Sequence, residues 1–370
     1  MNINGQHHNT IWVNENNQEL IQVFDQRYFP HQIDVFDIST TDEAAFAIKE
    51  MVVRGAPLIG VTAAYGMYIG CIEAKNQNNP EEYLKQVVNK LNATRPTAVN
   101  LAWAVKEMEE AIKDIVDANE RIASALNRAN EIKQEDIDIC FNIGQHGLKL
   151  IEEISKRKKG DTVNILTHCN AGWLATIDWG TATSPIYQAQ QAGIDVHVWV
   201  DETRPRNQGA NLTAFELNQQ GVKHTLINDN TGGHLMQHGM VDIVIVGTDR
   251  TAGNGDVANK IGTYLKALAA HDNNVPFYVG LPSSTLDCSI KNGVRDIPIE
   301  TRSEDEVKYM QGKVDGEIKS VLICPETTPA LNYGFDVTPA KYVTGLITER
   351  GICKASEEGI KALFPEKFEV

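Results

Sequence analysis

The stretch Val163-Asn164-Ile165-Leu166-Thr167-His168-Cys169-Asn170-Ala171-Gly172 opens the part of the chain that decides the fold. An apolar run ends within it, and small, polar and ionisable residues begin. The same change recurs where Ile243-Val244-Ile245-Val246 is followed by Gly247-Thr248-Asp249-Arg250-Thr251-Ala252-Gly253-Asn254-Gly255-Asp256. Parallel α/β sheets bind ligands just beyond the carboxyl ends of their strands. The two segments therefore predict two walls of one site.

The pattern around these segments predicts a parallel sheet. Strand-like runs occur at Val163–Leu166, Val196–Val200, Thr225–Ile227, Ile243–Val246, Phe277–Val279 and Val321–Ile323. Helix-like segments separate the earlier runs, and such alternation is typical of parallel strands with right-handed crossovers. No G-x-G-x-x-G follows the first strand and no phosphate loop is present, so a nucleotide cofactor is not expected. We expect a Rossmann-like domain over residues 159–370.

The first half of the chain predicts a mainly helical domain, residues 1–158, that begins with a small antiparallel sheet. Thr40 and Glu43 form a capping-box pattern, and the helix they begin should run to about Val53. The other predicted elements are strands at Thr10–Val13, Leu20–Phe24 and Ile33–Phe36, and helices at Ile59–Tyr68, from Pro96 to about Ile115, and at Ala118–Ser155. The fold class is therefore α/β, with a boundary near the turn at Lys156–Gly160.

Composition excludes several functions. The chain has 370 residues, 34 Lys and Arg against 49 Asp and Glu, and a net charge of -15, so its surface should repel nucleic acid and anionic lipid. The start of the chain is polar, and no apolar run approaches the roughly 20 residues that span a bilayer, which predicts a cytoplasmic protein. None of the six cysteines has zinc-ligand spacing, so we expect reduced thiols and no metal.

Cys169 and Asp249 are the candidates for proton-transfer chemistry. A thiolate at Cys169 would be stabilised by backbone N–H groups at the start of a following helix. The alternative is a buried structural cysteine, which is a common state of that residue. Asp249 follows an apolar strand, where desolvation should raise its pKa and suit it to donate protons near neutrality. An ion pair with Arg250, or an Asx turn, is the alternative there.

Lys260 is a candidate anion ligand. Asp256–Gly262 is expected to begin a helix, which would place Lys260 in its first turns, where free N–H groups favour an anion. A phosphate there would gain a charge from Lys260 and a hydrogen bond from Asn259. The alternative is an exposed helix lysine.

Two arginines at turns are further candidates. Arg54 lies beside Gly55, which permits a ligand to approach the backbone, and Arg95 stands at a predicted helix start. Arginine suits bidentate contact with phosphate oxygens. Either arginine is also compatible with an ordinary surface position.

The polar loop that begins at Asp201 follows another predicted strand, so it should reach the same sheet edge. Gln208 in this loop can both donate to and accept from sugar hydroxyls. Arg204 and Arg206 are expected to stabilise the loop, at least one of them by pairing with Asp201 or Glu202.

Taken together, these segments resemble the methylthioribose-1-phosphate isomerases of the methionine salvage pathway. The segments that carry the resemblance are Arg54-Gly55-Ala56-Pro57, Thr94 through Leu101, Cys169-Asn170-Ala171-Gly172, Glu202 through Gly209, Gly247 through Asp256, and Asn259-Lys260. They occur in the family's order and span most of the chain. The wider superfamily includes ribose-1,5-bisphosphate isomerases and regulatory subunits of a translation-initiation exchange factor.

The resemblance implies a helical N-terminal domain, a Rossmann-like C-terminal domain, a homodimer and a sugar-phosphate substrate, with no cofactor or metal. It implies conversion of 5-methylthio-α-D-ribose 1-phosphate to 5-methylthio-D-ribulose 1-phosphate, with Asp249 as proton donor and Cys169 assisting the transition state. The positions that match substrate-binding residues are Arg54, Gly55, Ala56, Arg95, Gln208, Asn259 and Lys260. Two alternatives stay open: a non-enzymatic regulatory subunit, and a bisphosphate isomerase with a second cationic cluster.

Overall fold

The computed structural model describes residues 1–95 and 98–369, and its first half is mainly helical. The strands here are β1 (Asn2–Ile3), β2 (Gln6–His7), β3 (Ile11–Asn14), β4 (Asn17–Phe24) and β5 (Val35–Ile38). The helices are α1 (Thr41–Lys49), α2 (Ala56–Ala74), α3 (Pro80–Thr94), α4 (Val99–Ile112) and α5 (Ala118–Arg157). The predicted small sheet is confirmed as the antiparallel set β3-β4-β5. The predicted helix start at Pro96 lies outside the described residues.

The capping box at the start of α1 is confirmed. The Thr40 side chain accepts a hydrogen bond from Glu43 N at 3.1 Å, and a Glu43 carboxylate oxygen accepts one from Thr40 N at 3.0 Å. Both atoms satisfy backbone groups that the first turn leaves unpaired. The helix ends at Lys49, four residues before the expected end, and the chain then turns towards α2.

Helix α2 is the centre of the helical core, and it corrects the expectation that no apolar run approaches bilayer length. Ala56–Ala74 is long and apolar enough to cross a membrane by length and composition alone. However, 83% of the most apolar 18-residue stretch of this helix is buried inside the protein. Helix α2 packs against α1, α3, α4 and α5. A helix that is apolar all round fits the middle of a helix bundle, which is the position observed.

The second half contains the predicted parallel sheet. Its strands are β6 (Val163–Thr167), β7 (Val196–Asp201), β8 (Lys223–Ile227), β9 (Ile243–Val246), β12 (Phe277–Gly280), β17 (Gly345–Thr348) and β18 (Gly351–Cys353). Their order is β18-β17-β12-β9-β6-β7-β8, and only β18 is antiparallel to its neighbour. The crossover helices are α6 (Ser184–Gln191), α7 (Ala214–Gln219), α8 (Thr231–Gln237) and α9 (Thr263–Asp272). The α/β class with a Rossmann-like second half is thereby confirmed.

The strand predicted at Val321–Ile323 is not part of this sheet. Strands β14 (Tyr309–Val314) and β15 (Glu317–Leu322) form a separate antiparallel hairpin, on which Val321 is half exposed. Asp315 and Gly316 both have positive φ, 52° and 86°, as a tight hairpin turn requires. The parallel sheet continues through Gly345–Thr348 instead, which is buried along its whole length.

The expected helix start at Asp256–Gly262 is also wrong, because this segment contains a strand. A four-stranded sheet consists of β10 (Arg250–Ala252), β11 (Val257–Lys260), β13 (Leu286–Asp287) and β16 (Phe335–Thr338). All of β11 is buried between β10 and β16, so burial on both faces overrides the capping residues that suggested a helix. Gly262, with a φ of 103°, ends the extended segment, and α9 begins at Thr263.

Three short helices complete the chain. They are α10 (Gly293–Asp296), α11 (Asp305–Lys308) and α12 (Glu357–Leu363). Residues 297–308 cross from the four-stranded sheet towards the helical half, and this places Glu300 and Arg302 at the edge of the site described next.

Candidate active site

A cavity lies where the carboxyl ends of β6, β7 and β9 face the turn between α1 and α2. The space between its lining residues, including the part that is open to solvent, is about 710 Å³. The residues proposed from sequence all line it: Arg54, Gly55, Ala56, Arg95, Cys169, Gln208, Asp249, Asn259 and Lys260. The structure therefore brings this set together, whereas the role of each residue stays a prediction.

Cys169 lies at the end of β6 in an uncommon backbone conformation. Its φ is 68°, and its N–H donates to Thr203 Oγ1 at 2.8 Å; Thr203 itself has a φ of 65°. Positive φ is rare for residues other than glycine, above all for a β-branched one, and it clusters at functional sites. Burial raises the pKa of the Cys169 thiol, while Arg54 and Lys260 act in the opposite direction. The thiol is buried, yet it borders the cavity.

Asp249 follows β9 and reaches the cavity from the other side. Its backbone N–H donates to Ala258 O at 2.9 Å, which joins the end of β9 to β11. Burial raises the pKa of Asp249, and the cations Lys260, Arg95 and Arg54 only partly offset this. The carboxyl group is thus held towards its protonated form. Arg250, the partner in the alternative ion pair, has its Nη1 atom 3.6 Å from Asp287 Oδ2.

Lys260 is a buried strand residue rather than an exposed helix lysine. Its ammonium group lies 4.6 Å from the centre of the Phe335 ring, in cation–π geometry. Burial lowers the pKa of Lys260, and Cys169 and Asp249 act to raise it. The neighbouring Asn259 donates to Thr263 Oγ1 at 3.0 Å. A cation is therefore placed beside both candidate catalytic groups.

Arg54 is held by Asn170, the residue after Cys169. The Arg54 Nη2 atom donates to Asn170 O at 2.7 Å, and the Asn170 side chain donates to Glu216 Oε1 at 2.9 Å. Glu216 is fully buried and also accepts from the backbone N–H groups of Trp173 and Leu174. Sequence reasoning missed Glu216, because a carboxylate inside a helical segment reads as a surface residue.

Arg95 and Arg302 share one carboxylate at the rim of the cavity. Arg95 Nη2 lies 3.1 Å from Glu300 Oε2, and Arg302 Nη1 lies 2.9 Å from Glu300 Oε1. Arg302 also pairs with Glu306 at 2.7 Å. Sequence reasoning missed Glu300 and Arg302, since they lie on an irregular segment without periodicity or a phosphate-binding motif.

The loop after β7 delivers Gln208 but is stabilised differently from the expectation. Gln208 Oε1 is buried and has no hydrogen-bond partner within the described residues. Arg204 donates to Val307 O at 2.8 Å, and Arg206 pairs with Glu306 at 3.0 Å. The expected pairing with Asp201 or Glu202 is therefore wrong for both arginines, because Asp201 is buried away from them.

Within residues 1–95 and 98–369, three metal-ligating side chains come together at His168, Asp201 and Asp229. The Lys266 ammonium lies 3.2 Å from Asp201 Oδ2 and also donates to the backbone oxygen of Asp229. It supplies the positive charge that these carboxylates need. We therefore interpret the cluster as an ion network behind the cavity wall.

Comparison with known proteins places the chain in a family. The model of the Initiation factor 2 subunit family matches residues 52–355. A methylthioribose-1-phosphate isomerase of Desulfatibacillum aliphaticivorans is 60% identical over 368 residues, which cover 100% of both chains. One of Brucella anthropi is 58% identical and covers 99% of this chain and 100% of its own. The chain belongs to the methylthioribose-1-phosphate isomerase family.

Solved structures agree with this family and show that its fold is shared. A 5-methylthioribose 1-phosphate isomerase from Pyrococcus horikoshii OT3 has a TM-score of 0.84 and 36% identity, covering 98% of this chain and 97% of its own. Subunit delta of the translation initiation factor eIF-2B from A. fulgidus has a TM-score of 0.78 and 33% identity, covering 98% and 100%. Fold alone does not separate a methylthioribose-1-phosphate isomerase from an initiation-factor subunit, so the function must be argued from the site.

Proposed function

We propose that this chain converts 5-methylthio-α-D-ribose 1-phosphate to 5-methylthio-D-ribulose 1-phosphate in methionine salvage. The observation that carries the proposal is that Cys169 and Asp249 border one cavity that also contains Lys260. A protein that only binds other proteins gains nothing from a thiol, a desolvated acid and a buried cation around one cavity. The same set suits an aldose–ketose isomerisation of a sugar phosphate.

Arg54, Arg95 and Lys260 are proposed to hold the phosphate group. Arginine gives bidentate contacts to phosphate oxygens, and the buried ammonium of Lys260 adds a point charge. Gly55 and Ala56 would offer backbone contacts beside Arg54. A phosphate that takes no part in bond changes contributes binding energy that orients the reacting carbons.

Gln208 and Asn259 are proposed to bind the sugar. The buried Gln208 Oε1 has no hydrogen-bond partner within the described residues, and leaving such an acceptor unpaired costs about 1–3 kcal/mol. A ribose hydroxyl that donates to it would remove this cost. Asn259 is already fixed by Thr263, so its amide is oriented before a ligand binds.

Ring opening is the first chemical requirement. The anomeric oxygen carries phosphate, so the ring cannot open to a free aldehyde, and an acid must protonate the ring oxygen as the C1–O4 bond breaks. Burial raises the pKa of Asp249, which favours the protonated form that this step needs. Asp249 is therefore proposed as the proton donor.

Two routes then move hydrogen between C2 and C1. In one, a Cys169 thiolate removes the C2 proton to leave an enol, after which a proton is delivered to C1 and the C2 hydroxyl loses its proton as the ketone forms. In the other, hydride passes directly from C2 to C1, and the Asp249 carboxylate takes the C2 hydroxyl proton while Cys169 stabilises the polarised centre. Burial raises the pKa of Cys169, so the thiol is favoured over the thiolate. This favours direct transfer.

An apolar annex supports the methylthio substrate over a bisphosphate. It adjoins the cavity through Gly55, Ala56 and Asp249, and its apolar lining consists of Ile59, Ala98, Ala258, Ile297, Pro298, Ile299 and Phe335. The two arginines at the annex are Arg95 and Arg250, which pair with Glu300 and Asp287. A thioether suits such a surface better than a second phosphate does, because Arg95 is already proposed to hold the 1-phosphate and Arg250 pairs with Asp287.

A turnover assay tests the proposal. EDTA-treated protein is given methylthioribose 1-phosphate and, separately, ribose 1,5-bisphosphate, and ketose formation is measured. We expect turnover of the first substrate with the higher kcat/KM. Turnover of neither substrate would favour an initiation-factor role, and preference for the second would identify a bisphosphate isomerase.

The assembly and location are proposals of the same kind. We propose a homodimer in the cytoplasm, with a division into domains at residues 1–158 and 159–370. The end of α5 at Arg157 and the start of β6 at Val163 support that division. Light scattering coupled to size-exclusion chromatography measures the number of chains.

A further inference from the structure

A buried charged network lies behind the wall that carries Cys169. His168 and Asp201 stand at the carboxyl ends of the adjacent strands β6 and β7, and neither side chain is exposed. His168 Nδ1 lies 2.9 Å from Asp201 Oδ2, and Lys266 Nζ lies 3.2 Å from the same oxygen. Neither His168 nor Lys266 lines the cavity, so neither has a part in the proposed chemistry.

The second ring nitrogen of His168 joins another part of the fold. His168 Nε2 lies 2.9 Å from the backbone oxygen of Ile261. A carbonyl oxygen only accepts, so Nε2 must carry the proton and donate it. The contact between Nδ1 and the Asp201 carboxyl group fixes the plane of the ring, as a carboxylate commonly does for a histidine. The direction of the Nε2–H bond is thereby set.

This hydrogen bond connects the segments that deliver two groups of the cavity. His168 directly precedes Cys169, and Ile261 directly follows Lys260. The contact is close-packed, since a Cβ atom at Gly262 would lie 3.1 Å from the His168 ring. The ring thus joins the end of β6 to the end of β11 on the side away from the cavity.

We propose that His168 is a positioning residue that holds the Cys169 thiol and the Lys260 ammonium in register across the cavity. Loss of its bond to Ile261 would let the end of β11 move away from the end of β6. The ionisable groups that face the Cys169 thiol are Arg54, Lys260 and Asp249. Moving Lys260 away removes a cation from this set, so the thiolate becomes harder to form. The effect on turnover rests on the proposed isomerase function, whereas the effect on the thiol does not.

Three substitutions separate the two bonds of the ring. His168→Gln keeps an amide donor near the position of Nε2 and so keeps the bond to Ile261. His168→Asn places its donor near Nδ1, where it reaches only Asp201. His168→Ala removes both bonds. His238→Ala is the matched control, because His238 is exposed at the end of α8 and bonds to its own helix at His234 O.

Two readouts are measured on each variant. The first is the rate of Cys169 alkylation by iodoacetamide against pH, followed by mass spectrometry of the peptide that contains Cys169, so that the other cysteines do not interfere. The second is kcat and KM for methylthioribose 1-phosphate, normalised to folded protein. In His168→Ala and His168→Asn we expect the alkylation profile to move up by about one pH unit. We expect kcat to fall at least roughly tenfold with a smaller change in KM, as for a misplaced group.

His168→Gln should stay close to the unchanged protein in both readouts, and so should His238→Ala. The proposal is overturned if His168→Asn behaves like the unchanged protein, or if His168→Gln behaves like His168→Asn. If His168→Ala does not fold, the comparison of His168→Gln with His168→Asn still tests the proposal. If the unchanged protein lacks turnover, the proposed function fails, and the alkylation profiles alone decide the role of His168.

Discussion

Arg95 and Glu300 form an ion pair at the rim of the cavity, with Arg95 Nη2 3.1 Å from Glu300 Oε2. Arg95 directly follows α3, and Glu300 lies in the crossing segment of residues 297–308 in the second half. The pair therefore joins the two halves of the chain beside the proposed phosphate site. Arg302 binds the other oxygen of the same carboxylate. Glu300 thus occupies cationic groups that suit a phosphate.

Glu300→Gln should strengthen phosphate binding. The substitution removes a negative charge beside Arg95 and Arg302 while it keeps one oxygen that can accept a hydrogen bond from one of them. A like charge at an anion site costs binding energy, so inhibition by inorganic phosphate should become several-fold tighter, roughly 1 kcal/mol. Competitive inhibition constants measure this. Glu304→Gln, on the same segment but half exposed, should leave the constant unchanged. Weaker phosphate binding in Glu300→Gln would place the phosphate elsewhere.

Cys169→Ser and Asp249→Asn should each leave a folded protein with turnover reduced at least roughly a hundredfold, the usual scale for a lost general acid or base. Both changes nearly preserve volume, so circular dichroism and melting temperature should change little. Steady-state kinetics measure the loss. Cys324→Ser and Asp305→Asn change the same residue types outside the cavity and should retain full turnover. Near-normal rates in either cavity variant would contradict the assigned roles.

Much of the fold follows from local pattern. Three local patterns predict the observed elements: the capping box at Thr40 begins α1, the apolar face of α4 is buried, and the apolar runs at β6 and β9 are buried strands. The local sequence pattern predicts the wrong element where contacts with distant parts of the chain determine the secondary structure. Val257–Lys260 carries capping residues before it and reads as a helix start, but two neighbouring strands bury it as β11. Val321-Leu322-Ile323 is apolar with two β-branched residues, and yet it lies at the end of the β14–β15 hairpin, where Val321 and Ile323 are half exposed.

The site could be predicted as far as residues stand at strand ends or in recognisable turns. Cys169 and Asp249 follow apolar strands, and Arg54 precedes a glycine and a proline. Glu300 carries no such signal, because it lies between α10 and α11, outside any helix or strand, and does not directly follow a strand of the parallel sheet. Lys260 lines the cavity, but the secondary structure predicted for it is wrong, since Lys260 lies in the strand β11 rather than at a helix start.

The rate should fall as pH rises through the pKa of Asp249. Asp249 acts in its protonated form, and burial raises its pKa above the ordinary value of 3.8. The acid is therefore available below that raised pKa and is lost above it, which gives kcat/KM a descending alkaline limb. The residual activity of Asp249→Asn should lack this limb. A limb that persists unchanged in that variant would assign it to another group.

Direct hydrogen transfer predicts that the product formed in D₂O carries no solvent deuterium at C1. The reason is that burial raises the pKa of Cys169, so that a thiolate able to remove the C2 proton is scarce. Proton NMR of the ketose product, taken at low conversion, measures the label at C1. Exchange of the product with buffer alone is the control. Deuterium at C1 would instead identify proton removal by a base.

Gly55→Ala should damage both stability and activity, because the backbone at the start of α2 has no room for a side chain. Gly55 has a φ of 91°, and a Cβ atom there would lie 2.4 Å from the backbone oxygen of Ala175, which also lines the cavity. Strain from a positive φ costs about 1–3 kcal/mol, and overpacking adds roughly 1–3 kcal/mol. Gly193→Ala is the matched control, since Gly193 has a φ of 78° but no described atom within 4 Å. We expect Gly193→Ala to lose only the strain energy and to keep full turnover. Denaturant unfolding and steady-state kinetics measure both effects, and equal losses in the two variants would show that the approach of Gly55 to Ala175 does not matter.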